Sequence, residues 1–132
     1  MVPYSSINDT ATTIIDVIRQ GIQYKTFKSF ADESPFSLTE WSTFLHLSER
    51  TMQRYQREKK KFDSIQSEKI FEIILLYKKG TEVVGNAEKF NSWLETDNLA
   101  LGSVKPKTFL DSSFGINLLK DELVRIEYGI LA

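Results

Sequence analysis

Apolar side chains recur along this chain at intervals of three and four residues, the spacing that places them on one face of an α-helix. Prolines occur only at positions 3, 35 and 106, so long stretches of the chain are free to be helical. We therefore predict an all-α protein. The predicted helices cover residues 10–20, 24–31, 37–45, 48–60, 68–84, 87–95, 106–111 and 115–128.

Small and polar residues mark where these helices should begin and end. Ser67 is expected to cap the helix at 68–84, and Gly85 to end it. Gly129 suits a left-handed position at the end of the last helix. Gly102 and Gly115 are expected to meet backbone requirements at turns.

Two of the predicted helices are separated only by a three-residue turn, residues 46–48. Ser37 or Thr39 can cap the first, and Glu40 follows Ser37 at the spacing of a capping box. Ser48 can cap the second. Two helices of this length joined by so short a turn are typical of a helix-turn-helix, in which the second helix enters the major groove of DNA.

Positive charge is concentrated in that second helix. The whole chain has a net charge of −1, whereas residues 48–61 hold six cations and two anions, a local charge of +4. Such a run is usually a solvated helix face, but its position in the motif favours DNA binding. Arginine and glutamine near the start can bond base edges, and the later cations can neutralise phosphates. The candidate DNA-binding residues are Ser48, Arg50, Thr51, Gln53, Arg54, Arg57, Lys59, Lys60 and Lys61.

The remaining composition argues against catalysis and metal binding. The chain contains no cysteine and one histidine, His46, so the usual nucleophile–base pairs and thiolate metal sites are missing. No glycine-rich phosphate loop is present. We predict no catalytic residue, no metal and no cofactor. His46 occupies a turn position where glycine is common, and it should accept that geometry less easily.

The start of the chain and its most apolar stretch carry no membrane signal. Residues 1–10 lack a basic region followed by an apolar run, as a signal peptide would have, and residues 70–77 are too short to span a bilayer. Together with the lack of cysteine, these features lead us to expect a cytoplasmic protein without a membrane partner.

The C-terminal third carries an ordered set of residues that resembles a known family. Gly85, Trp93-Leu94, Asn98, Leu101-Gly102, Pro106, Leu110 and Gly115 are followed by LVRIEYG at 123–129. This order resembles the C-terminal domain of the Xre/MbcA/ParS antitoxins, and the helix-turn-helix lies where that family has its Xre-like domain. Ser103 departs from the pattern, because a second glycine is common at that position.

The resemblance implies a type II antitoxin that neutralises a cognate RES-domain toxin, an NAD-consuming or ADP-ribosylating protein. It also implies binding to the operon's own promoter and a homodimer. Arginine and tyrosine are enriched at interface hot spots, and the apolar residues at the C-terminus are expected to be buried against a partner. The candidate toxin-binding residues are Trp93, Asn98, Arg125, Glu127, Tyr128, Ile130, Leu131 and Ala132.

We divide the chain into an N-terminal Xre-like helix-turn-helix domain with its long connecting helix, residues 1–84, and a toxin-binding or dimerisation domain, residues 85–132. In outline, the sequence predicts the helix-turn-helix domain packed with a small helical C-terminal domain. Two alternatives stay open. The protein could be a stand-alone helix-turn-helix regulator without a toxin partner, or an antitoxin whose helix-turn-helix has lost its affinity for DNA.

Overall fold

The computed structural model describes residues 11–131, with side chains from 12 to 129, so the predicted helix start at Thr10 lies outside it. This part of the chain is all-α, as predicted, with no strand. Its helices are α1 Ala11–Gln20, α2 Tyr24–Glu33, α3 Leu38–Leu45, α4 Glu49–Glu58, α5 Ser64–Val84, α6 Ala87–Glu95 and α7 Ser113–Leu131. Two 3₁₀ turns, Leu99–Leu101 and Pro106–Phe109, lie between α6 and α7.

The chain forms two compact units, residues 1–71 and 72–132, which divide within α5. The domain boundary that we predicted from the sequence, after residue 84, lies at the end of the same helix and stays a prediction. Helix α5 therefore contributes residues to both units. We describe each unit by itself.

An aromatic cluster holds unit 1 together. Trp41 of α3 is almost fully buried, and four phenylalanine rings surround it edge-on at centroid distances of 5.0 to 5.8 Å. Edge-to-face pairs of this kind add about 0.5–1.5 kcal/mol each beyond the burial of their area. The four rings are Phe27, Phe30, Phe36 and Phe44. The cluster therefore fixes α3 against α2.

The start and end of α3 agree with its sequence. Ser37 is the cap: its hydroxyl accepts a hydrogen bond from the Glu40 amide, and the Glu40 carboxylate accepts one from the Ser37 amide. This is the capping box that the sequence predicted, and it decides between Ser37 and Thr39. The helix ends at His46, which has a left-handed backbone with φ of 57°. A residue other than glycine costs roughly 1–2 kcal/mol in this conformation.

Ser67 does not cap α5, contrary to our prediction, because the helix begins at Ser64, four residues before the predicted start. Asp63 takes the capping role: its carboxylate accepts a hydrogen bond from the Gln66 amide at 2.8 Å. Ser67 is fully buried inside the first turns, and its hydroxyl accepts a hydrogen bond from the Ile22 amide at 2.9 Å. This contact ties α5 to the segment between α1 and α2.

Unit 2 packs α7 and the 3₁₀ turns against α5 and α6, and glycines allow two close approaches. A Cβ on Gly80 of α5 would lie 2.1 Å from ring atoms of Phe90, and a Cβ on Gly115 would lie 2.2 Å from the Phe109 carbonyl oxygen. Gly115 lies inside α7 and allows its close approach to the 3₁₀ turn at Phe109, so it does not form a turn as predicted. The buried face of α7 consists of Ile116, Leu119 and Leu123.

Of the remaining glycine predictions, two are confirmed and one is wrong. Gly85 ends α5 with φ of 118°, and Gly102 has φ of 93° in the loop before α7, so both meet backbone requirements as expected. The prediction for Gly129 was wrong. This residue lies inside α7, which continues to Leu131, and it has no positive φ.

Candidate functional site

The turn between α3 and α4 is held by its own polar groups. The Ser48 hydroxyl accepts a hydrogen bond from the Thr51 amide at 3.0 Å, and it also donates to the Thr51 hydroxyl at 2.9 Å. Ser48 therefore caps α4 as predicted. Both hydroxyls are engaged in this cap, so these two residues of the candidate set position α4.

The exposed surface of α4 is almost entirely polar. Met52 is its one buried residue and packs fully into unit 1. Arg50, Gln53, Arg54 and Arg57 are all exposed on the helix. Since only Met52 of α4 is buried, these four candidate side chains share the open surface of the helix.

The cations that follow α4 are fixed through their backbone. The helix ends at Lys59, whose φ is 55°, and the Lys60 amide donates to the Tyr55 carbonyl at 2.9 Å. The Lys60 carbonyl in turn accepts from the Tyr24 amide at 3.1 Å, and Lys61 forms an isolated β-bridge with Gln23. The backbone of this segment is therefore hydrogen-bonded to the start of α2, while the side chains of Lys59, Lys60 and Lys61 stay exposed.

These cations lack acidic partners among the residues that the structure describes. No ion pair there involves an arginine or lysine of residues 48–61. Arg54 and Lys60 instead lie 5.8 and 5.7 Å from the ring centroid of Tyr55. Cation–π contacts leave the positive charge in place. The surface is therefore suited to a polyanion.

Two lysines of α2 extend this basic surface, and the sequence analysis missed them. A groove of about 340 Å³ is lined by Lys25 and Lys28 of α2 together with Gln56 and Lys59, and by Gln23 and Tyr24. Lys28 also pairs with Asp32 at 3.1 Å. The pKa of Tyr24 is raised by its burial, and Lys28 opposes the rise, so this phenol stays neutral near pH 7. The spacing of Lys25 and Lys28, three residues apart on the exposed face of a helix, is the one sequence signal for them.

Unit 2 uses some of the predicted toxin-binding residues within its own fold. Trp93 is partly buried, with its ring stacked on Phe90 at 5.5 Å. The Asn98 carbonyl oxygen of the side chain accepts a hydrogen bond from the Ala100 amide at 2.9 Å, and its backbone pairs with Val104. Asn98 therefore closes its own loop, and that loop leaves Leu99 87% exposed.

The candidates on α7 differ in how they are held. Both carboxylate oxygens of Glu127 accept hydrogen bonds from Lys79 at 3.0 Å. Arg125 donates to Glu122 within the helix, at 3.0 Å from its Nε, whereas Tyr128 is 67% exposed. The side chains of Ile130 and Leu131, and all of Ala132, lie outside the described residues.

A second group of charges joins the last residue of α6 to two lysines at the second 3₁₀ turn. Glu95 accepts hydrogen bonds from Lys105, at 3.4 Å, and from Lys107. The hydrogen bond from Lys107 is the largest influence on this carboxyl and lowers its pKa below the ordinary value. Charges in this part of unit 2 are thus paired, unlike those on α4.

Among residues 12–129, whose side chains are placed, no group of three or more histidine, aspartate or glutamate side chains could hold a metal ion. In the same part of the chain, no helix is both long and apolar enough to cross a membrane.

Comparison with known families gives two matches in series. Residues 13–74 match the antitoxin Xre-like helix-turn-helix domain, and residues 79–129 match the antitoxin Xre/MbcA/ParS C-terminal toxin-binding domain. Together these matches cover most of the chain, which therefore belongs to the Xre/MbcA/ParS antitoxin family. No curated protein matches the chain. The families are non-enzymatic regulators of toxin–antitoxin systems, which confirms the predicted class and the predicted lack of catalysis.

Proposed function

We propose that this type II antitoxin neutralises a RES-domain toxin, which consumes NAD or transfers ADP-ribose, and represses its own operon from within the cytoplasm as a homodimer. The observation that carries the proposal is the pairing of a helix-turn-helix domain with a toxin-binding domain in one chain. The cations of α4, which have no acidic partner among the described residues, support the DNA-binding half.

For DNA binding, we propose that Arg50, Gln53 and Arg54 approach base edges from the first half of α4, where helix-turn-helix proteins make such contacts. Arg57 and the fixed lysines at 59–61 would contact phosphates on either side. Lys25 and Lys28 would extend these backbone contacts across the groove beside α2. Ser48 and Thr51 would support the site by capping α4.

For toxin binding, we propose that Arg125 and Tyr128 on the outer face of α7 make direct contacts, together with the C-terminal residues Ile130, Leu131 and Ala132. Exposed tyrosine and arginine side chains are typical interface anchors. Trp93, Asn98 and Glu127 would shape the surface through their own contacts in unit 2. Leu99, which the sequence analysis did not select, is a further candidate because its side chain is open.

The experiment that tests this function is co-expression with the product of the neighbouring open reading frame. We expect that product alone to arrest growth and deplete NAD or modify a target with ADP-ribose, and we expect the pair to co-purify and restore growth. A neighbour that is neither toxic nor bound would contradict the antitoxin role and leave a stand-alone regulator.

Promoter binding is tested separately, by measuring affinity for the upstream DNA of the operon over a range of salt concentrations. If several cations neutralise phosphates, log K should fall with log salt by about 0.9 per phosphate contact. Normal toxin neutralisation without promoter binding would identify an antitoxin whose helix-turn-helix no longer reads DNA.

A further inference from the structure

A small cavity lies in unit 1 at the N-terminal end of α2. Its volume is about 140 Å³, and its lining comes from α1, from the start of α2 and from the segment that follows α4. A single water needs roughly 10–15 Å³ of such space, so the cavity has room for a ligand of several non-hydrogen atoms. Of the residues proposed above to contact DNA or toxin, only Lys61 belongs to this lining.

The walls of the cavity are held by close backbone contacts. Gly21 has φ of 90°, and a Cβ there would lie 2.3 Å from the Phe62 carbonyl oxygen. The Phe62 amide donates to the Ile22 carbonyl at 2.8 Å. These contacts join the turn between α1 and α2 to the segment after α4, so the walls are in place before a ligand binds.

Thr26, which lines this cavity, has a buried hydroxyl group without a partner. The residue is only 5% exposed, and its Oγ1 forms no hydrogen bond within the described part of the chain. A buried hydroxyl in this state costs free energy, and a ligand oxygen would recover it. Such groups are rare in folded proteins. The hydroxyl of Thr26 therefore points to a ligand as its partner.

The charges around the cavity favour an anion. Among the described residues that line it, none is acidic and Lys61 is a cation. Lys61 is placed at the wall by its β-bridge with Gln23, and its Cβ lies 3.5 Å from the position of a Cβ on Gly21. An ammonium group on this side chain can reach a ligand beside Thr26.

The N-terminus of α2 contributes in the same direction. The side chain of Gln23, the N-cap residue, makes no capping hydrogen bond, and the first turn of the helix contains no acidic residue. The positive end of the helix dipole therefore has no carboxylate of its own first turn beside it. The amides of Thr26 and Phe27 donate to the Gln23 carbonyl. Donors to an anion must then come from side chains, namely Thr26, Lys61 and the carboxamides of Gln20 and Gln23.

We propose that this cavity binds a tetrahedral oxyanion, in the cell a phosphate group, with the Thr26 hydroxyl and the Lys61 ammonium as its main donors. A phosphate group presents three or more strong acceptor oxygens, which suits several donors converging without a carboxylate. The group can belong to a small free anion or to the backbone of DNA, since Lys61 is one of the proposed phosphate contacts. Only the DNA source rests on the proposed function.

Inorganic phosphate is the probe for the full-length chain, titrated at constant ionic strength and followed by two-dimensional NMR of the backbone amides. The signals of residues 20–26 and 61 should shift and reach saturation. Thr26→Val and Lys61→Gln should each weaken phosphate binding about tenfold or more, because each removes a hydrogen bond to a charged group. Thr26→Ser keeps the hydroxyl and should stay within about threefold of wild type.

Thermal unfolding separates loss of the site from loss of the fold. Without phosphate, Thr26→Val should raise the unfolding midpoint by about 2–8 °C, because it removes a buried hydroxyl that has no partner. Thr81→Val is the matched control: the Thr81 hydroxyl is also buried without a partner among the described residues, and it lies outside the cavity. This control should also be stabilised and should bind phosphate like wild type. A variant that is more stable and yet binds less has lost the site alone.

Promoter DNA distinguishes the two sources of the phosphate group. If DNA supplies it, Thr26→Val should lower promoter affinity about tenfold, and free phosphate should compete with the promoter. If a small anion supplies it, Thr26→Val should bind the promoter like wild type while phosphate still saturates the wild-type signals. Either outcome supports the site.

The inference would be overturned if phosphate left the signals of residues 20–26 unshifted and Thr26→Val bound the promoter like wild type. Equal phosphate affinities for wild type, Thr26→Val and Lys61→Gln would overturn it as well. A wild type that binds no promoter would contradict only the DNA-binding half of the proposed function. The phosphate titration would then decide the site by itself.

Discussion

Helices α4 and α7 expose their surfaces in opposite ways. Helix α4 is anchored by one buried side chain, Met52, and offers arginines without carboxylate partners among the described residues. Helix α7 buries a full apolar stripe and yet keeps a second stripe of large side chains open, with an arginine already bonded to Glu122. Exposure alone therefore does not define a partner. Unpaired cations suit a polyanion, whereas apolar groups with balanced charges suit a protein.

The largest expected effect is a loss of promoter affinity when two arginines of α4 are removed. Arg50→Ala combined with Arg54→Ala should weaken promoter binding by about 2–6 kcal/mol, since each base or phosphate contact of this kind is worth about 1–3 kcal/mol. Toxin neutralisation should be unchanged, because both residues belong to unit 1. Fluorescence anisotropy with promoter DNA at fixed salt measures the loss.

The matched control removes two positive charges from unit 2, in Lys89→Ala combined with Lys120→Ala. This variant has the same net charge as the arginine variant and should keep nearly all of the promoter affinity. An equal loss in both variants would mean that total charge, and not the surface of α4, determines binding. A loss that is the same for promoter and unrelated DNA would assign both arginines to phosphates.

An intermediate effect concerns the packing of α5 against α6 in unit 2, the unit that contains α7. Gly80→Ala should lower the free energy of unfolding by about 1–3 kcal/mol or more, because its Cβ would overlap the Phe90 ring. Gly129→Ala is the control: a Cβ there meets no atom within 4 Å, and alanine in a helix should stabilise by about 0.5–1 kcal/mol. Urea unfolding measures both. If the two substitutions had the same effect, the close approach of α5 and α6 would not be a constraint.

The smallest effect sharpens the contrast between paired and unpaired charges. The Glu95 pKa is lowered in the folded protein, chiefly by the Lys107 hydrogen bond, so the charged carboxylate stabilises the fold at a pH above its ordinary pKa. That contribution disappears as the pH falls through the lowered pKa. Glu95→Gln should therefore cost under about 1 kcal/mol near pH 7 and nothing at about pH 2, since the pair is exposed.

Thermal unfolding of wild type and Glu95→Gln across this pH range measures the effect. Their curves should converge on the acid side. As a control, Glu88→Gln removes a carboxylate from the same helix outside this pair. Its difference in stability from wild type should be smaller than that of Glu95→Gln. A constant gap between wild type and Glu95→Gln at every pH would show that the ion pair contributes nothing that depends on protonation.

The helices, the helix-turn-helix and the family were predictable from the sequence, because they depend on local signals. Apolar spacing, the Ser37–Glu40 capping box, the Ser48 cap and the glycine at 85 act over one or two helical turns. The position of the cations was equally visible, since charge is read directly from the residues. Where the prediction erred locally, at Ser67 and Gly129, a residue with strong terminal preference was placed inside a longer helix by its surroundings.

Which of these residues share a surface depends on contacts between distant segments of the chain. Gly80 is required because Phe90, from another helix, lies against it, and no local pattern in either segment contains that distance. Lys25 and Lys28 join Lys59 in one groove because the backbone of Lys60 is hydrogen-bonded to the start of α2. The open face of α7 is defined by which of its two apolar rows the rest of unit 2 covers. Such facts arise from packing between distant segments, and packing is settled by the whole fold.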